Sequence, residues 1–442
     1  MPQASLPSLE TVTAEARPQD GEAPSVAVVH AATLIERLAR RAVLARFAGL
    51  THGRIEISEG QERWVLGGRA PGPVARLTIL HPRTWADVAL AGTIGSGEAF
   101  MAGAWTCDDL TALIRILVLN RATLDGLEGG WARLSAPLFR LAHAWNRNTP
   151  GGSRRNISAH YDLGNEFFAL FLDREMMYSS AYFPSAAATL EEASTAKLER
   201  ICARLELKPG DHLLEIGSGW GGMAIHAARH HGCRVTTTTI SQRQHELATA
   251  RVRAAGLQDR VTVLLSDYRD LTGTYDKLVS IEMIEAVGWQ FYETYFRTCA
   301  RLLKPAGLMV IQAITIADQQ YETAKRCVDF IQRHIFPGSC IPSLTALGTA
   351  MTRASDLRVV ASEDHAPHYA RTLACWRERF LARRGEAAAL GCSETFLRMW
   401  EFYLCYCEGG FHERVLGLVH LTIAKPGYRQ PDQLALDRGR TL

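Results

Sequence analysis

The 442-residue chain is short of several things, and each shortage excludes something. It has no run of about 18 apolar residues, so no segment is expected to cross a bilayer as a helix. Its first residues lack a basic stretch followed by an apolar core, which reads against a secretory signal. Neither sign of charge dominates: 49 Lys and Arg face 46 Asp and Glu, a net of +3. No strong global field therefore favours nucleic acid, and none is expected as a partner, although one local basic patch would suffice for an anionic membrane. The ten cysteines show no paired metal spacing, since only Cys405 and Cys407 lie two apart, and no metal site is expected. Buried free thiols in a reducing cytoplasm are the simplest reading. No internal repeat is visible.

What is present is an ordinary globular composition, 47% hydrophobic and 21% charged, at a length that suits two or three domains. Residues 1–29 are rich in Pro, Ala, Ser and Glu without apolar periodicity and read as a disordered leader. Residues 30–145 form a smaller α+β module. Its opening segment, His30–Leu50, places Leu34, Leu38 and Phe47 near helical spacing, with Arg37, Arg40, Arg41 and Arg46 between them. That pattern is an amphipathic helix with a basic face, suited to packing on its domain or lying on a membrane. Short alternating strands follow at Arg54–Ile57, Arg63–Leu66 and Val74–Leu80. Helices are expected at Thr84–Ala91 and Leu110–Asn120, with Gly95–Trp105 as a turn and short helix. Residues 146–158 are polar, glycine-bearing and arginine-rich, a linker by composition.

From residue 159 to the end, strands alternate with helices. Strands are expected at Arg234–Thr239, Val261–Leu265, Lys277–Ile281 and Leu308–Ala313, and helices at Gln244–Ala255 and Phe291–Leu303. A last antiparallel strand suits Leu418–Lys425. Such alternation predicts an α/β, Rossmann-like domain whose mostly parallel sheet is covered on both faces, with ligands at the carboxyl ends of the strands. The loops that follow Gly217, Thr239, Asp267, Ile281 and Ala313 are then the ones that carry the site. Phe167, Phe168 and Phe171 fall at helical spacing and read as core.

One stretch organises the domain. In Asp211–Arg229, DHLLEIGSGWGGMAIHAAR, a buried strand runs into Gly217, Gly219, Gly221 and Gly222 and then into a helix. Glycine at such a turn lets backbone approach a ligand closely, and the helix N-terminus faces it. The spacing G-S-G-W-G-G is not the dinucleotide fingerprint G-x-G-x-x-G with an acid about 20 residues on. Glu215, two residues before the first glycine, suits a cationic amino-acid head group. The combination points to S-adenosylmethionine rather than NAD.

The sequence as a whole resembles the cyclopropane-fatty-acid synthase family, S-adenosylmethionine-dependent enzymes that methylate unsaturated acyl chains of phospholipids. The resemblance rests on GSGEAFMAGAWTCDDL, GSRRNISAHYDLGNEFFALFLD, MMYSSAYF, LLEIGSGWGG, TTISQRQ, SIEMIEAVG, RLLKPAGLMVIQAIT, IFPGSCIPS and PHYARTL, in order from roughly Gly53 to Lys425. It implies a class I methyltransferase domain with a seven-stranded sheet over residues 159–442, and a lipid- or membrane-docking role for the module before it. In the donor pocket it implies Tyr161, Tyr178 and Ser179 over the methionine end. Glu215, Gly217 and Gly219 meet the amino acid, Thr239 and Gln244 the ribose, and Asp267 and Tyr268 the adenine.

The chemistry implied is methyl transfer to a cis double bond in a dry tunnel, because water would capture the resulting cation. A bound bicarbonate is the family's base, held by a glutamate, a histidine, a tyrosine and backbone groups. The matching positions are Glu285, Gln312, Tyr369 and the backbone of Ser180 and Ile314, with Ser180 standing where the family has cysteine and Gln312 where it has histidine. A carboxamide donates a hydrogen bond but takes up no proton near neutral pH. Glu282, three residues before Glu285, is read either as its neighbour on a helix face or as a cap. Loss of a proton from the new methyl closes a cyclopropane, the product first expected; loss from the neighbouring chain carbon gives a methyl-branched alkene, and a methylene- or methyl-branched unsaturated chain is the alternative product. A non-catalytic acyl-binding protein is the rival from another class. The resemblance implies a cytoplasmic protein peripheral at the inner membrane face, and leaves room for a homodimer and a downstream reductase.

Overall fold

A computed structural model describes residues 32–124 and 164–429. The expected leader and linker, and Tyr161, lie outside these residues. The chain divides into two compact units. The first takes in the N-terminal module together with Ser393–Gly409, and the second takes in the rest of the later sequence.

In the first unit, the helix Leu34–Phe47 opens on a capping box between Thr33 and Glu36. Strands β1 (His52–Glu59), β2 (Glu62–Gly67), β3 (Ala70–Ile79) and β4 (Trp105–Cys107) form a sheet of order β2-β1-β3-β4. Along β1, Gly53, Ile55 and Ile57 alternate inward, as a half-covered strand requires. Gly95–Met101 proves to be the end of one helix, Arg83–Met101, which continues through a kink where Gly92 takes φ 55°. Arg398, from the late helix Glu394–His412, donates to the carbonyl of Trp105 at 2.9 Å, and Phe402 meets Phe100 at 5.9 Å. A single boundary near residue 146 therefore does not capture this unit.

The second unit is built on β5 (His212–Ile216), β6 (Arg234–Thr239), β7 (Val261–Leu265), β8 (Tyr275–Ile281), β9 (Leu303–Ile316), β10 (Arg358–Asp364) and β11 (Leu416–Ala424). Their order is β10-β11-β9-β8-β5-β6-β7, with β11 antiparallel to both its neighbours. Adjacent residues on the central strands feed opposite cores. Leu214, Leu278 and Met309 face one, with Tyr295, Phe296 and Leu347, while Leu213, Val279 and Val310 face the other, with Leu198, Met223 and Ala227. Each fully buried Leu, Val or Phe contributes about 1.5–3 kcal/mol, so the paired layers position the strand ends firmly. Phe167, Phe168 and Phe171 are fully buried among one another and Phe380, as core. The strand order reverses between β5 and β8, and the crevice at their carboxyl ends is where such a sheet binds its ligand.

Candidate active site

Two structures meet at that crevice. The first is the glycine corner after β5. Gly217, Gly219 and Gly221 take φ of 97°, 49° and 89°, all left-handed, before the helix Gly222–His230 begins. A Cβ at Gly222 would lie 2.6 Å from Met177 Sδ, so that position is closed by packing. A Cβ at Gly219 would meet nothing within 4 Å, which leaves an open cradle beside a helix N-terminus. Glu215 is buried on β5 with Oε2 lacking a hydrogen-bond partner among the described residues, and burial pushes its carboxyl up to about 8. An orphaned acceptor beside an open glycine cradle fits the ammonium and backbone of an amino-acid head group. Gly219→Ala is expected to cost about 1–2 kcal/mol of stability through its left-handed φ. Because its methyl enters the cradle, donor affinity should fall at least about tenfold, measured by calorimetry.

The other residues expected in the donor pocket make contacts of their own. Thr239, at the end of β6, donates to Gln244 Oε1 at 2.8 Å, and Ser241 caps the helix on which Gln244 sits. Asp267 accepts from the backbone and side chain of Arg269, with an ion pair of 2.6 Å, so an adenine amine would share that carboxylate. The Tyr268 ring packs edge-on to Tyr295 at 5.6 Å, and its hydroxyl is buried without a hydrogen-bond partner among the described residues. Tyr178 lies against Phe168 and Trp376 at 5.2 and 5.4 Å. Ser179 Oγ is held by the Lys197 ammonium at 2.8 Å.

The second structure is a carboxylate cage after β8, and here the expected arrangement changes. Three of the donors assigned to an anion converge on Glu282. The Ser180 amide and Gln312 Nε2 donate to Oε1 at 2.8 and 2.7 Å, and the Tyr369 hydroxyl donates to Oε2 at 2.6 Å. Glu285, the expected ligand, accepts the Ile314 amide at Oε1, and its Oε2 is buried without a partner among the described residues. The two acids do not share a helix face. Glu282 takes φ 47°, and a short 3₁₀ turn, Ile284–Ala286, carries Glu285 away. Ile314 itself is not in a loop, because β9 runs on to Ile316.

Gln312 is fixed from behind. On β9 it is the cross-strand partner of His420 on β11, whose Nε2 lies 2.9 Å from Gln312 Oε1. Burial pushes His420 down to about 2, so it is neutral and donates from Nε2. The carboxamide is thereby turned with its NH₂ toward Glu282 and toward the Ser180 carbonyl, 3.2 Å away.

Charge in the cage follows from these contacts. Burial raises Glu282 above the usual carboxylate range, while its three donors and Lys197 pull the other way. Burial and the neighbouring Glu282 push Glu285 up to about 8. Of this coupled pair, Glu282 keeps the negative charge, having three donors against one, and Glu285 holds the proton. Lys197 is fully buried, and burial lowers it to about 8 against the raising effect of Glu282, Asp173 and Glu215. Neither Lys197 nor His420 was singled out from sequence. The signal for Lys197 was there: with Leu190, Ala193, Ser194, Leu198 and Ile201 it lies on the buried stripe of the helix Leu190–Arg204.

The fold, the orphaned Glu215 and the glycine cradle define an S-adenosylmethionine-dependent class I methyltransferase. The family described as mycolic acid cyclopropane synthetase matches residues 150–421, and the chain belongs to it. It is 39% identical over 382 residues to a tuberculostearic acid methyltransferase from Mycobacterium tuberculosis, covering 85% of this chain and 88% of that one. It is 36% identical over 364 residues to the cyclopropane-fatty-acyl-phospholipid synthase of Escherichia coli, covering 81% and 90%. Among solved structures, a mycolic acid cyclopropane synthase complexed with SAH and CTAB superposes with a TM-score of 0.58 at 32% identity. That match covers 62% of this chain and 98% of the other.

Proposed function

We propose that this enzyme methylates the cis double bond of an unsaturated phospholipid acyl chain and that Glu282, rather than a bound bicarbonate, takes the proton released. The product is then a methyl-branched unsaturated chain instead of the cyclopropane first expected. The observation that carries this reading is the Glu282 carboxylate seated on the Ser180, Gln312 and Tyr369 donors. S-adenosylmethionine, when bound, supplies the electrophilic methyl. Gly217 and Gly219 would admit its backbone and Glu215 its ammonium. The ionised Glu282 stabilises a positive centre on the chain and then accepts a proton from it, while Gln312 only orients. A base anchored by three donors stays on its wall. It takes a hydrogen from the chain carbon beside the cation, whereas ring closure removes one from the new methyl. The likeness to a protein named as a tuberculostearic acid methyltransferase supports methylation, and the Escherichia coli relative's name supports phospholipid as acceptor.

The test is incubation with S-adenosylmethionine and unsaturated phospholipid vesicles, without added bicarbonate. One added CH₂ by mass spectrometry, with olefinic and no cyclopropyl proton resonances, is expected; a cyclopropane product overturns the assignment of the base.

Turnover on this reading needs Glu282 ionised. Because its pKa is raised, kcat should fall with decreasing pH on a limb above that of an exposed glutamate. Lys197→Met removes the buried cation that favours the charged form, so the limb should move up by about one unit, near 1.4 kcal/mol. A limb that stays in place would separate Lys197 from the base.

We further propose that the module meets anionic lipid through its first helix. Leu34, Ile35 and Leu38 are 64%, 66% and 59% exposed there, with Arg37 and Arg41 also exposed, while Ala39, Val43 and Phe47 pack inward. Leu34 and Leu38, placed with Phe47 on one apolar face by their spacing, are thus open to solvent while Phe47 is buried. No helix among the described residues is long and apolar enough to cross a membrane. A Leu34→Asp, Leu38→Asp double variant should lose at least about tenfold in flotation with phosphatidylglycerol vesicles, given about 1.5 kcal/mol or more per leucine inserted. Unchanged flotation would remove this helix from the interface.

A further inference from the structure

Among the described residues, two clusters of histidine with other metal-ligating side chains stand out, one of them reaching the cage through His420. In one, Glu363, His365 and His420 approach within 4.8 Å, but Arg200 and Arg204 already hold the Glu363 carboxylate. Two guanidinium groups at that distance disfavour a divalent cation, so this cluster is set aside.

The other cluster has no such opposition. Cys202 Sγ and one ring nitrogen each of His226 and His231 lie within 4.8 Å of one another. Glu199 Oε2 is 3.2 Å from Nε2 of both imidazoles. We propose that Cys202, His226 and His231, with Glu199 on the solvent side, bind a divalent ion of the zinc class. The donor set is the one tetrahedral zinc prefers, and edges of its coordination polyhedron are about 3.3 Å, close to the Glu199–imidazole distances. Drawing the sulfur in asks for a shift of about an ångström from side chains on two helices. Thiolate and carboxylate together cancel the ion's charge. The helix Gly222–His230 ends at the cluster and Cys202 lies in the last turn of Leu190–Arg204, so two negative helix ends also favour a cation.

Sequence spacing could not show this site, because the ligands sit on two helices and none of them forms a paired cysteine motif. Its consequence follows from the second helix, whose other end is the glycine corner. A bound ion would tie that helix to Leu190–Arg204, the helix that carries Lys197, and so brace both halves of the active site.

The test uses the full-length untagged protein, stripped by chelator and titrated with Co²⁺ and then Zn²⁺. One Co²⁺ per chain is expected, with a thiolate-to-cobalt charge-transfer band that Zn²⁺ displaces, and saturating Zn²⁺ should raise Tm. His231→Ala and Cys202→Ser should each weaken binding at least about 100-fold and abolish the Tm rise, and the cysteine variant should lose the charge-transfer band. His231 is the more exposed imidazole, 17% against 10% for His226, so its variant carries the test even if the buried cysteine variant does not fold. Absence of the band in the parent protein, or undiminished cobalt affinity in His231→Ala, would overturn the site.

Discussion

Glu282→Gln is expected to lower turnover about a thousandfold while leaving S-adenosylmethionine binding within about twofold, the loss that follows removal of a positioned base. Glutamine keeps the shape, and its carbonyl can still accept from the Ser180 amide and Gln312 while its NH₂ donates to the Tyr369 oxygen, but it cannot take a proton. The paired variant Glu285→Gln separates the two acids. Glu285 already carries a proton near neutral pH, because burial and the Glu282 charge push it up to about 8. A carboxamide reproduces that neutral group and can still accept the Ile314 amide, so its turnover should stay within about tenfold of the parent. Steady-state kcat and calorimetric donor affinity of both variants decide the matter. If Glu285→Gln were dead and Glu282→Gln active, the roles would be reversed and the proposed base lost.

The second large effect concerns an emptied cage. Glu282→Gly relieves a left-handed residue, φ 47°, which glycine adopts freely, and that should stabilise by about 1 kcal/mol. It also strands the Ser180 amide, the Gln312 carboxamide and the Tyr369 hydroxyl, and each buried donor left unpaired costs about 1–3 kcal/mol. The net expectation is a lower Tm and turnover down by about a thousandfold. Added bicarbonate can occupy the same donors. It should raise Tm, restore part of the activity and move the product toward cyclopropane, read by proton NMR of the extracted lipid. Rescue should be stronger in Glu282→Gly with Gln312→His, because histidine can share the proton that glutamine cannot. Bicarbonate without effect on either Tm or product would show that the cage does not accept a free anion.

The parallel strands were legible because β-branched residues crowd them between helical patterns. Arg234–Thr239 and Val261–Leu265 are β6 and β7 to the residue. The glycine corner was legible for a related reason: four glycines in six residues have few uses other than a tight turn against a ligand. Helices carrying polar residues on their buried stripe were harder. Leu190–Arg204 went unassigned because Ser194 and Lys197 interrupt its apolar face, although both are buried. The edge strand β10 is mostly exposed, with Val359 and Val360 open to solvent ahead of Ser362, Glu363 and Asp364, so no alternation marks it. The late helix Glu394–His412 reads as part of the second domain along the chain, yet most of it packs within the first unit.

The sequence by itself determined the family, through motifs in order along most of the chain, and the α/β sheet and the glycine corner, since these depend on local pattern: strand, turn and helix start within about 20 residues. Only the tertiary structure decided which glutamate occupies the cage. That choice depends on the left-handed backbone at Glu282 and on donors drawn from Ser180, Gln312 and Tyr369, more than 180 residues apart end to end. Hydrogen-bond direction and burial set the charge of such a group, and both exist only once distant segments have been packed together.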